Sequence, residues 1–236
     1  MKSLSIQDAE LLASQFRSKI CLSLTEPINS KTLIRKLGIT AVYRPLSEKS
    51  YGIGCKSASG KMFILVNSNS TRGRQHFTIA HELYHLYYEE HPVPHMCEQG
   101  NSSAERNANR FASALLMPRE GILSIVSPEE ITNHNISLAT ILRMEQYFGV
   151  SRKTLLIRLK DIGLVSSHRS DELMAIPVKD SARSYGYDLS LYEKGNAGLV
   201  IGDFGEKARR LFEEEKISEG HYEELLNMIR DDSSKN

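Results

Sequence analysis

The pentapeptide His81-Glu82-Leu83-Tyr84-His85 constrains this chain more than any other stretch of it. Positions i and i+4 of a helix share one face a turn apart, so two imidazoles at that spacing can point at one metal ion. Glu82 stands beside them, placed to take a proton from a water at that metal. Two solvated histidines and an ordinary acid on a helix surface would show the same letters. The neighbours decide between the two readings. Ile79, Ala80, Leu83, Leu86 and Tyr87 approximate an apolar helical stripe, so the motif rides on a buried helix. A catalytic zinc usually keeps three protein ligands and one open position. The chain must therefore fold a second ligand-bearing element onto this helix.

The expected element lies downstream. Ser102 or Ser103 caps a helix whose apolar face runs Ala108, Phe111, Ala112, Leu115, Leu116, and Glu105 sits in its first turn. In isolation Glu105 would be a carboxylate favoured by the helix dipole. Beside an H-E-x-x-H it is the expected third ligand. Asn109, one turn later, is placed to hydrogen-bond a ligating histidine from behind. The proline-bearing stretch 88–101 reads as a loop and offers His91, His95, Cys97 and Glu98 as alternative ligands. These rank below Glu105, because a helix holds ligand geometry better than a loop. Cys97 as a fourth ligand that closes the site is a further alternative, below an exposed loop thiol. A second oxyanion donor is expected, with Tyr84, Tyr87, Tyr88, His76 and His95 as its unranked candidates.

Three segments, His81-Glu82-x-x-His85, then Glu105-x-x-Ala108-Asn109-x-Phe111-Ala112, then Leu115-Leu116-Met117-Pro118, together resemble the ImmA/IrrE family of zinc metallopeptidases. The resemblance covers about residues 28–165. It implies a gluzincin-like Zn2+ site with His81, His85 and Glu105 as ligands and Glu82 as general base. It also implies endopeptidase cleavage of a partner helix-turn-helix repressor, which would release mobile-element, phage or stress genes from repression. Many members carry Gly at the place of Tyr84, so this tyrosine is expected either to narrow the cleft or to set a hydroxyl near it.

Composition narrows the remaining classes. The 236 residues can bury a full core and hold one domain plus an appendage. Lys and Arg number 30 against 29 Asp and Glu, too even for a strongly electrostatic nucleic-acid binder. No apolar run reaches the roughly eighteen residues of a membrane span. The polar, early-acidic N-terminus does not read as a signal peptide. Cys21, Cys55 and Cys97 are distant and odd in number, which suits reduced thiols, and the expected location is the cytoplasm.

Taken in order, the chain predicts a helix over 6–22 and a short one over 31–37, capped by Asn29 or Ser30 and stopped by Gly38. A strand follows at 39–43, then a hairpin of 51–56 and 61–66 whose edge could receive an extended substrate. Beyond Pro118 and Ser127-Pro128 come short helices. Apolar periodicity on both sides of Gly149 then gives a helix-turn-helix layout. Arg152, Lys153 and Arg158 decorate its second helix and would be the residues to touch DNA. Packing on the peptidase core is favoured over DNA, because the basic residues are few and Asp161 adjoins them. Residues 166–171 read as a linker, 197–202 as a strand, 206–215 and 218–229 as helices, and 231–236 as a disordered tail.

The expected fold is α+β. A small antiparallel or mixed sheet is backed by the zincin-like helix, with a helix-turn-helix-like pair and a mainly helical C-terminal part beyond. The expected segments are 1–126, 127–165 and 166–236. A competing class is a non-proteolytic regulator or toxin–antitoxin component that binds DNA or a partner protein and keeps a structural metal site. Binding to DNA would fall steeply with salt; cleavage would depend on Glu82. Oligomeric state is not encoded in any of these features.

Overall fold

The computed structural model of the chain describes residues 3–48, 50–89, 95–98 and 102–227, with backbone alone at 95–98. Its sheet has five strands in the order β4-β2-β3-β1-β5. These are β1 (Thr40–Arg44), β2 (Ser50–Lys56), β3 (Met62–Asn67), β4 (His95–Glu98) and β5 (Val200–Ile201). The β2–β3 hairpin is antiparallel, with Gly54 opposite Ile64, while β1 runs parallel to β3. Both outer strands, β4 and β5, pair antiparallel with their neighbours. The sheet is therefore mixed, as the α+β reading requires.

Local chemistry explains the flanking helices. Helix α1 (Ile6–Lys19) starts in a capping box in which Ser5 accepts from the Asp8 N–H and Asp8 accepts in return from Ser5. Helix α2 (Ser30–Lys36) is capped by Asn29, and Gly38 at φ +65° turns the chain into β1. Helix α3 (Arg72–Tyr88) carries the H-E-x-x-H and packs on β2 and β3. Helix α4 (Ser103–Leu116), capped by Ser102, lies along α3 and against α1. There Phe16 meets the rings of Tyr87 and Phe111 edge-on at 5.2 and 5.9 Å.

After the short helices α5 (Arg119–Leu123) and α6 (Pro128–Thr132) come α7 (Leu138–Phe148) and α8 (Arg152–Asp161), joined through Gly149 at φ +64°. The pair is packed, with Ile141, Leu142, Leu155, Leu156 and Leu159 buried. Arg152 is 1% exposed, with Nε 2.6 Å from Glu145 Oε1 and Nη2 3.0 Å from Ser181 Oγ. Arg158 is 2% exposed and reaches Glu10 and the Met117 carbonyl. Two of the three basic side chains expected for DNA thus hold the core together and cannot meet phosphate; Lys153 alone is exposed.

Two other expectations change. The stretch 88–101 is not all loop, since 95–98 forms β4 against β2; four residues are too few for a strand alternation to register. With β4 in place, β2 is not a sheet edge. The supposed linker 166–171 is helical. Ser166 caps α9 (Ser167–Ala175) through the Arg169 N–H, and Leu173 is fully buried. Helix α10 (Val178–Ser184) follows, buried through Ser181 and Ala182. Both escaped notice because so few of their residues are apolar. One apolar core runs from Ala13 to Leu173 and Ile201. Helices α11 (Phe204–Glu213) and α12 (Glu219–Asn227) form the final hairpin, and residues 231–236 lie outside the described residues.

Candidate active site

Helix α3 buries His81, Glu82 and His85 together, and α4 brings Glu105 to the same point. His81 Nε2 lies 3.1 Å from His85 Nε2 and 3.3 Å from Glu105 Oε2; His85 Nε2 lies 3.6 Å from Glu105 Oε1. Ligand atoms at about 2.0 Å around a tetrahedral ion stand about 3.3 Å apart, so this spacing suits zinc. The outer nitrogens fix the tautomers. His81 Nδ1 is 3.0 Å from Asn109 Oδ1, and His85 Nδ1 is 2.7 Å from Glu89 Oε2. With each Nδ1–H donating outward, both Nε2 lone pairs face inward, toward each other and toward a carboxylate. A metal ion between them satisfies all three sets of lone pairs at once. In the metal-free protein, burial pushes the His81 pKa down, but Glu105, Glu82 and Asn109 outweigh it and raise it, so a proton meets part of the same demand.

Glu82 is fully buried, and the sheet is shaped around it. Gly52 and Gly54 stand on the α3 face of β2, two residues apart and so on one side of the strand. A Cβ at Gly54 would sit 2.7 Å from Glu82 Oε2, and one at Gly52 would sit 3.1 Å from Oε1. Side chains at these positions would occupy the space of the carboxylate.

The expected oxyanion donors mostly point elsewhere. Tyr84 is 3% exposed, and its ring packs 5.7 Å from Phe111, 5.6 Å from Tyr88 and edge-on 5.8 Å from His85, in the core beside the ligand. Burial first, then Glu89, raises its pKa, while Asn107 lowers it. Tyr87 packs on Phe16 with Lys19 over its ring, and Tyr88 packs on Phe111. His76 pairs with the Gly149 carbonyl at 3.0 Å, and burial holds its pKa low. The side chains of His95, Cys97 and Glu98, and all of His91, lie outside the described residues. Glu89 went unnoticed in the sequence. Its signal was its place one helical turn after His85.

Residues 34–160 match the family model described as the IrrE N-terminal-like domain. The chain belongs to the ImmA/IrrE peptidase family. The match spans more than half of the chain and includes the whole metal triad, so this ImmA/IrrE member is a zinc-dependent hydrolase acting on protein. No curated protein matches the sequence. None of the described helices is long and apolar enough to cross a membrane.

Proposed function

We propose that this peptidase cuts a partner helix-turn-helix transcriptional repressor, with Glu82 as its general base and Asn109 and Glu89 orienting the two histidines. The observation that carries the chemistry is the Glu82 carboxylate, buried beside the triad against two glycines of β2. Zn2+ held by His81, His85 and Glu105 would supply the Lewis acidity that activates a water and polarises the scissile carbonyl. Glu82 takes the proton of the attacking water as oxygen bonds to the carbonyl carbon. It then passes that proton to the amide nitrogen as the C–N bond breaks. Among the described residues β4 is the outermost strand on this side of the sheet, and its outer edge would give an extended substrate segment a line of main-chain partners.

The repressor as substrate rests on the family resemblance together with the burial of Arg152 and Arg158, which weakens the DNA-binding alternative. Zinc-loaded Glu82→Gln protein, tagged and expressed in the native host, should retain its substrate uncut. A small helix-turn-helix protein that co-purifies, and that wild type cuts while the variant does not, is the expected result. A stable partner that wild type never cuts would defeat the proposal.

A further inference from the structure

The metal-bearing faces of α3 and α4 continue past the metal into a second cavity. On α3, Arg74, Phe77 and His81 follow one another at three and four residues, a single stripe. On α4, Glu105, Asn109 and Ser113 follow at two intervals of four residues, again along one face. Between these stripes, closed on its far side by α8, lies a cavity of 390 Å3. Asn109 lines it while holding His81 Nδ1, so the cavity and the metal site share a wall. Its size falls in the range of ligand sites.

The lining has a definite chemistry. Phe77 and Ile157 supply an apolar floor, and Ile157 is 44% exposed on a helix whose other large aliphatics are buried. Arg74, Arg106, Arg110 and Lys153 ring it, and among the described residues Asp161 is the one carboxylate of the lining. Arg74 lies over the Tyr51 ring at 3.9 Å, a contact that positions its charge without neutralising it. Ser151, the N-cap of α8, and Thr154 in its first turn also line the cavity, and the amino end of that helix adds positive potential. The exposed part of the helix-turn-helix-like pair therefore opens on a basic pocket beside the active site.

We propose that this cavity is a substrate subsite that takes an acidic segment with aliphatic side chains from the protein being cut, and so selects the substrate. Carboxylates meet the Arg74 and Lys153 rim while an aliphatic side chain rests on Phe77 and Ile157. This inference rests on the protein-cleaving reading above and gives the α7–α8 pair a role in that reaction. Nucleic acid is the competing occupant of any basic surface; here the apolar floor and the shared wall with the metal site favour peptide.

The test is binding without chemistry. Zinc-loaded Glu82→Gln protein is titrated by fluorescence polarisation with a labelled peptide of alternating leucine and glutamate. The same peptide with glutamine for glutamate, and a short DNA duplex as competitor, complete the set. The acidic peptide should bind roughly tenfold or more tighter than its glutamine twin, and Arg74→Glu with Lys153→Glu should erase that difference. Zinc content should not change. Lys160→Glu, on the same helix but outside the cavity, should leave the preference in place. Equal binding of the two peptides overturns the proposal, as does an equal loss in Lys160→Glu. Displacement of the peptide by DNA, with DNA binding itself lost on the double reversal, overturns it too. Cleavage by wild type is scored separately: a protein that prefers the acidic peptide through this cavity but cuts no repressor would refute the repressor reading while upholding the site.

Discussion

Replacing Gly54 by alanine isolates the placement of Glu82 from the holding of zinc. The new Cβ would lie 2.7 Å from Glu82 Oε2, about 0.7 Å short of ordinary van der Waals contact. Strand β2 cannot easily retreat, since it is hydrogen-bonded to β3 on one side and β4 on the other. The carboxylate must yield instead. Misplacing a reacting group by about 1 Å can cost on the order of a hundredfold, so this displacement should lower kcat on the order of 10- to 100-fold. That corresponds to about 1.4–2.7 kcal/mol of barrier. The nearest atoms to the new methyl all belong to Glu82, so zinc stoichiometry should stay at the wild-type value. Gly52→Ala is the contrasting case, because its Cβ would meet Thr78 Cγ2 at 2.5 Å and the Leu65 carbonyl at 3.0 Å. That overpacking should appear as lost stability of about 1–3 kcal/mol. Gly220→Ala, whose Cβ meets nothing within 4 Å, is the packing control: kcat should stay the same, and the helical Gly→Ala exchange in α12 should if anything raise Tm, by about 0.5–1 kcal/mol of stability. The assay is single-turnover cleavage of the trapped substrate, with metal content and Tm read on the same samples. Wild-type cleavage by a fully zinc-loaded Gly54→Ala protein would refute the idea that the strand positions the base.

Two further outcomes follow from the same contacts. Glu105→Ala should lose the metal, whereas Glu89→Ala should keep the ligand set and weaken zinc roughly 10- to 100-fold, read by competition with a chromophoric chelator. Unchanged affinity in Glu89→Ala would show that the 2.7 Å contact with His85 does not support the ligand. Far from the site, burial alone would raise the Glu130 carboxyl, but donors from Ser137, Thr140 and Ser127 outweigh it and hold the pKa at about 2. A depressed pKa stabilises the fold above the unfolded value of 4.5 and ceases to do so as pH falls toward 2. Discounted for solvent screening, the effect is on the order of 1–2 kcal/mol. Glu130→Gln should therefore flatten the loss of Tm between those two pH values, and an unaltered acid limb would refute this account.

How much of this was legible in the letters depended on the range of the interaction. His81, His85, Glu105 and Asn109 were readable because helical spacing and a capping serine fix their directions locally. Glu89 was equally local but lay past the last apolar residue of the stripe, where the helix was expected to fray into loop. The roles of Gly52 and Gly54 depend on a strand meeting a helix, which spacing along the chain does not encode. The packing of Arg152 and Arg158 was favoured over DNA, but their partners were out of reach for a related reason. A basic residue on an amphipathic helix reads as surface until its partners are known, and those partners, Glu145, Ser181 and Glu10, come from three different elements.

The C-terminal third carries no catalytic signature, yet it completes the helix that does. Thr71 at the start of α3 makes no side-chain cap hydrogen bond, so the orphan amides of that end need other acceptors. The Arg72 N–H donates to the Glu193 carbonyl at 2.8 Å, and Thr71 bridges to Lys194. One turn in, the buried Gln75 amide donates to the carbonyls of Ser70 and Gly195 and accepts from Asn196 at 2.7 Å. Tyr192, just before this segment, is anchored by its hydroxyl to Glu145, which also holds Arg152. Residues 190–196 thus cap the zinc helix from outside and tie it to the α7–α8 pair. His81 lies six residues along α3 from Gln75, less than two turns. The ordering of the catalytic helix is therefore a property of the chain through at least residue 196, beyond the stretch that bears the family's motifs.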